Sequence, residues 1–170
     1  AAQARPAAAQ PIMAEADWQR LETTHFEVLF PRGYEASAGH CAAIAEEAYR
    51  LLAPHFRWSP KRITMIVSDG NDFHNGYATI FPHPTIQLEL FPPDRRQTIY
   101  SPDFLRQVIV HELAHIMQLD QNDGLRGTMR GIFGNVLPGR GDPLTLLITL
   151  LALPANATAP IWFLEGGAQW

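Results

Sequence analysis

Apolar positions alternate with polar ones in some stretches of this chain and recur every three or four residues in others. Residues 25–30 (HFEVLF) alternate and stop at Pro31 and Gly33, as a half-buried strand would. Residues 35–56 carry apolar side chains at helical spacing, and 62–67 form a short apolar run that reads as a buried strand. The polar stretch 69–76 (DGNDFHNG) reads as a turn. Residues 85–91 alternate again between Pro82, Pro84, Pro92 and Pro93, the pattern of an edge strand. From 103 to 119 the period returns to that of a helix, with Leu105, Val108, Ile109, Leu113 and Ile116 on one side. Ser101 or Asp103 can cap it, Pro102 suits its first turn, and no Gly or Pro follows before Gly124. The strongly apolar run 144–153 is about half the length needed to span a bilayer, so it reads as a core helix. The alternatives are a lid, or a surface touching lipid or another domain.

Composition narrows the class. A chain of 170 residues with 46% apolar side chains can build one domain with its own core. A net charge of −4 with scattered Lys and Arg argues against nucleic-acid binding. The single Cys41 falls on the apolar side of the 35–56 helix and reads as a buried thiol. Residues 1–16 are rich in Ala and Pro without periodicity, so disorder is expected there, followed by one domain over 17–170. Such a start resembles the region after a cleaved signal peptide, which leads us to expect a periplasmic or secreted protein.

The chemistry concentrates in HELAH at 111–115. In a helix His111 and His115 lie one turn apart on one face, where both imidazoles reach a single metal ion, and zinc is the expected metal. Glu112 lies beside them, placed to take a proton from a zinc-activated water. Chance produces HExxH in roughly one chain in a few hundred, so the helical context has to discriminate, and it does: both histidines fall off the centre of the apolar stripe. A catalytic zinc needs a third protein ligand and an open position. Gln118 and Gln121 occupy the positions where a Gly and a His would extend the motif, which excludes the metzincin pattern. Glu165 in PIWFLEGGAQW is the leading third ligand, because Gly166 and Gly167 let a second helix approach closely. Asp120, Asp123 and Asp142 compete, each in a turn-prone stretch.

HELAH followed by WFLEGGA resembles the gluzincins, specifically the peptidase MA-like domains whose second motif reads W-x-x-E-G-x-A. The similarity extends upstream through WQRLETTHFEVLFP and RITMIVSDGNDFHNGYATIFPHPTIQLEL, so it covers about residues 18–170. It implies an α+β, zincin-like fold: a small mixed sheet with an edge strand over the cleft, an HExxH helix, and a second helix carrying Glu165. It also implies His111, His115 and Glu165 as zinc ligands and Glu112 as the catalytic carboxylate of a metallopeptidase. The 49 residues between His115 and Glu165 exceed the linker of thermolysin-like and aminopeptidase members. In that group such a domain can precede a TolB-like β-propeller.

The expected reaction is zinc-dependent hydrolysis of peptide bonds with Glu112 as general base, and a sheet edge over the cleft would favour a polypeptide substrate. An oxyanion donor would come from His74, Tyr77, His83 or Tyr100. Trp170 lies five residues after Glu165 and cuts the second helix short, so a longer parent chain is expected. The alternative function is a catalytically inactive zinc-binding or interaction module of a larger exported protein.

Overall fold

The computed structural model describes residues 16–69, 76–90, 103–121, 124–134, 142–154, 156 and 159–168. The expected disorder of 1–16, most of the 69–76 turn, and His74, Tyr100, Ser101, Pro102 and Asp123 lie outside them, Asp69, Gly76 and residue 16 aside.

The fold is α+β, with five strands among the described residues in one mixed sheet. Strand β1 (Trp18–Glu22) pairs antiparallel with β2 (Phe26–Pro31) across a tight turn closed by the Thr23 amide donating to the Phe26 carbonyl at 2.9 Å. Helix α1 (Glu35–Leu52) follows, ends in a 3₁₀ turn (Ala53–His55), and leads to β3 (Ile63–Ser68), which pairs parallel with β2. Gly33 supplies the positive φ of 95° that turns the chain from β2 into α1.

Next come β4 (Gly76–Thr79) and β5 (Thr85–Glu89), and the strand order is β1-β2-β3-β5-β4. This corrects the edge assignment: 85–89 is an inner strand, parallel to β3 and antiparallel to β4, and the edge is the short strand β4. The flanking prolines lie outside β5 itself, so they do not interrupt its ladder.

The strand alternation sends Phe26, Val28, Ile63, Met65, Val67, Ile86 and Leu88 into one core. Two helices cover it. Helix α1 contributes a face of small residues (Ala38, Cys41, Ala42, Ala45, Ala48) that lets it lie close to the sheet. Helix α2 (Phe104–Leu119) contributes Ile109, Leu113, Ile116 and Met117, all fully buried. Leu105 and Val108 of the expected stripe are only partly buried. Arg106 on α2 reaches Glu47 on α1 at 2.8 Å. Glu46 ties α1 to the β1–β2 turn, accepting from Thr23 Oγ1 at 2.6 Å and from the His25 amide at 2.7 Å.

After α2 come α3 (Gly124–Phe133), α4 (Pro143–Ala152) and α5 (Ile161–Ala168). Helix α4 is capped by Asp142, whose carboxylate accepts from the Leu144 and Thr145 amides. It packs on α3, and it is not the core helix its composition suggests: Leu144, Leu146, Leu147, Leu150 and Leu151 are all exposed. No helix among the described residues is long and apolar enough to cross a membrane.

Candidate metal centre

The site is built on two helices. Helix α2 presents His111 and His115 on one side and buries Glu112 on another, as the 100° per residue of an α-helix requires. The two imidazoles meet edge to face, with ring centroids 4.5 Å apart and Nε2 to Nε2 at 3.0 Å. Pro160 immediately precedes helix α5, its carbonyl accepting from the Phe163 and Leu164 amides, and Glu165 follows within the first two turns.

Two contacts hold α5 against α2. Gly167 lies so close to the Gln118 side chain that a β-carbon there would collide with the amide, whereas Gly166 faces open space. The Asn156 side-chain amide donates to the Gln118 carbonyl at 2.8 Å and fixes the chain that leads into α5. The close approach expected of the glycine pair therefore rests on Gly167 alone. Asn156 thereby has a packing role.

The result brings Glu165 to both histidines, Oε2 at 3.5 Å from His111 Nε2 and Oε1 at 3.7 Å from His115 Nε2. The donor atoms of all three residues lie within 4.8 Å of one another. A tetrahedral ion with bonds of about 2.1 Å separates its ligand atoms by about 3.4 Å. The 3.0 Å between the two imidazole nitrogens, and the 3.5 and 3.7 Å from them to the two Glu165 oxygens, one oxygen to each histidine, are of that order. Two neutral nitrogens and one carboxylate oxygen form a donor set suited to zinc.

The rival carboxylates are otherwise engaged. Asp120 is buried and paired with Arg130 of α3, and Asp142 caps α4.

Glu112 is 7% exposed, and burial pushes its carboxyl above the usual range; the nearby Glu165 adds to this while His111 opposes it. Burial likewise lowers the basicity of His115, with the neighbouring His111 acting the same way. Glu112 packs beneath the edge strand. A β-carbon on Gly76 would sit 2.6 Å from Glu112 Cγ and 2.8 Å from its Oε1. Gly76 carries no motif signal, and only the fold reveals that its missing side chain is the space Glu112 occupies. Of the donor candidates that fall among the described residues, Tyr77 is 63% exposed on β4 and His83 is exposed in the bend before β5.

No protein-family model, curated protein or solved structure matches this chain.

Proposed function

We propose that this chain is a zincin-like metallopeptidase domain of gluzincin type, in which His111, His115 and Glu165 hold one zinc ion and Glu112 is the general base. The observation that carries the reading is the convergence of Glu165, separated from His115 by 49 residues, on the two histidine Nε2 atoms at 3.5 and 3.7 Å. A bound zinc would supply Lewis-acid polarisation of the scissile carbonyl and lower the pKa of water at its open position. The chain's own residues do the rest. Glu112, made more basic by burial, takes the proton of the attacking water and passes it to the departing amine.

Strand β4 is a sheet edge directly above Glu112, so an extended polypeptide can add to it and bring its scissile bond over the site. Polypeptide is accordingly the proposed substrate class, and the periplasm or the outside of the cell the proposed setting.

The test compares cleavage of a broad peptide library by the native protein and Glu112→Gln, with zinc content measured in both. Loss of cleavage at unchanged zinc supports the reading, and equal metal-dependent cleavage removes Glu112 as base. Zinc held by the native protein without any cleavage favours an inactive zinc-binding interaction module of a larger exported protein.

A further inference from the structure

We propose that α3 and α4 form a docking face for an anionic lipid surface, with the outward leucines of α4 entering the acyl boundary. The face contains none of the proposed metal ligands.

Helix α4 is inside out. Leu144, Leu146, Leu147, Leu150 and Leu151 are 41–63% exposed. At about 100° per residue they and Pro143 occupy a continuous arc of about 160° that holds no polar side chain. The two hydroxyls of the helix lie on the opposite side: Thr149 is buried and Thr145 half-buried. Each is satisfied along the helix, Thr149 Oγ1 donating to the Thr145 carbonyl at 2.7 Å and Thr145 Oγ1 to the Asp142 carbonyl at 3.1 Å. A water-facing helix carries the reverse arrangement, apolar inward and polar outward. Helix α3, packed on α4, adds Leu125, Ile132 and Phe133 to the exposed surface. The pair thus holds eight of the twelve large apolar side chains exposed among the described residues. Such a concentration marks an interaction surface.

The chemistry of the face selects lipid. A protein partner's interface carries about one hydrogen bond per 100–200 Å², whereas hydrocarbon asks for none. The leucine arc offers no side-chain group to make one. Ten residues rise about 15 Å, half of what spans a bilayer, so the helix lies along the surface and does not cross it.

Charge points the same way. Between Asp123 and Glu165 the sequence has three arginines, Arg126, Arg130 and Arg140, and one carboxylate, Asp142, in a chain of net charge −4. Arg130 is paired with Asp120 and Asp142 caps α4, which still leaves the segment with more positive than negative charge. Arginine near an apolar face is drawn to anionic headgroups, and it repels a second copy of the same face.

The test sediments the 170-residue protein with vesicles of phosphatidylcholine and phosphatidylglycerol in equal parts, and with vesicles of phosphatidylcholine alone, at low and high salt. The variant carries Leu147→Ser and Leu150→Ser, both at exposed positions, so its urea midpoint should stay close to the native one. The native protein should pellet with the anionic vesicles, less so in high salt, and weakly with the neutral ones. The variant should bind the anionic vesicles on the order of 100-fold more weakly, since burying each leucine is worth about 10-fold or more. Native protein left in the supernatant, a folded variant that binds like the native protein, or equal binding to both kinds of vesicle overturns the proposal. A native dimer in light scattering that the two substitutions split gives the face to a second copy and overturns it too. Should the variant fail to fold, Leu150→Trp decides: brominated acyl chains should quench its fluorescence beyond that of the native protein, and equal quenching overturns the proposal.

Discussion

Replacing Gly76 by alanine probes the contact between the edge strand and the buried carboxylate. Elsewhere in a strand this substitution stabilises, because glycine loses more backbone freedom on folding, by about 0.5–1 kcal/mol. Here the added β-carbon would lie 2.6 Å from Glu112 Cγ, 2.6 Å from Val108 Cγ1 and 2.8 Å from Glu112 Oε1. Carbon atoms rest at about 3.5–4.0 Å, so either β4 or the Glu112 side chain must move by about 1 Å. Overpacking of this kind costs about 1–3 kcal/mol, which outweighs the entropic gain and leaves a net loss of about 1–2 kcal/mol. Urea unfolding of metal-free Gly76→Ala should show that loss. In a Glu112→Ala background, where two of the three contacts vanish, the loss should shrink markedly. The second readout is peptidase activity. A general base displaced by about 1 Å should lower kcat/KM on the order of 100-fold, with nothing further lost when Glu112→Gln is already present. A Gly76→Ala protein as stable and as active as the native one would refute the proximity of Glu112 to β4.

Three further outcomes follow from the same structure. Burial raises the Glu112 carboxyl above its unfolded value of 4.5, so the fold holds that proton more tightly; its stability is intact below pH 4.5 and falls as pH rises through the folded value. Glu112→Gln should therefore raise the Tm of the metal-free protein at pH 7 and leave it nearly unchanged at pH 4, and no gain at pH 7 would contradict the burial. The Cys41 thiol is buried and pushed up to about 11, so it should resist thiol reagents at pH 8 in the folded protein and react at once in denaturant. Arg130→Ala should lower stability in urea unfolding by about 1 kcal/mol or more, because the buried Asp120 carboxylate at the end of α2 loses its ion pair; an unchanged midpoint would show that the pair contributes nothing.

Local periodicity carried most of the architecture. The helix over 103–119 and the strands at 25–30 and 62–67 appear within about a residue of their expected limits, since each combines one period with clear Pro, Gly or polar boundaries. What failed depends on distant partners. Whether the alternating segment 85–89 is inner or edge is decided by β3 and β4, neither of which its own residues reveal. An apolar run such as 144–153 reports hydrophobicity and not burial, and five of its leucines face outward. At the site, the helical repeat alone puts His111 and His115 together. The nearness of Glu165 follows from Gly167, whose small size already suggested a close approach, and from Asn156, whose meaning exists only once α5 lies on α2.

The central claim is that one zinc ion sits between two turns of α2 and the start of α5. Crystals of the zinc-loaded protein, measured above and below the zinc absorption edge, test it directly. The account predicts a single anomalous peak about 2.0–2.2 Å from His111 Nε2, His115 Nε2 and a Glu165 carboxylate oxygen. A peak held by other residues, or by the histidines with Glu165 turned away from the ion, would contradict it.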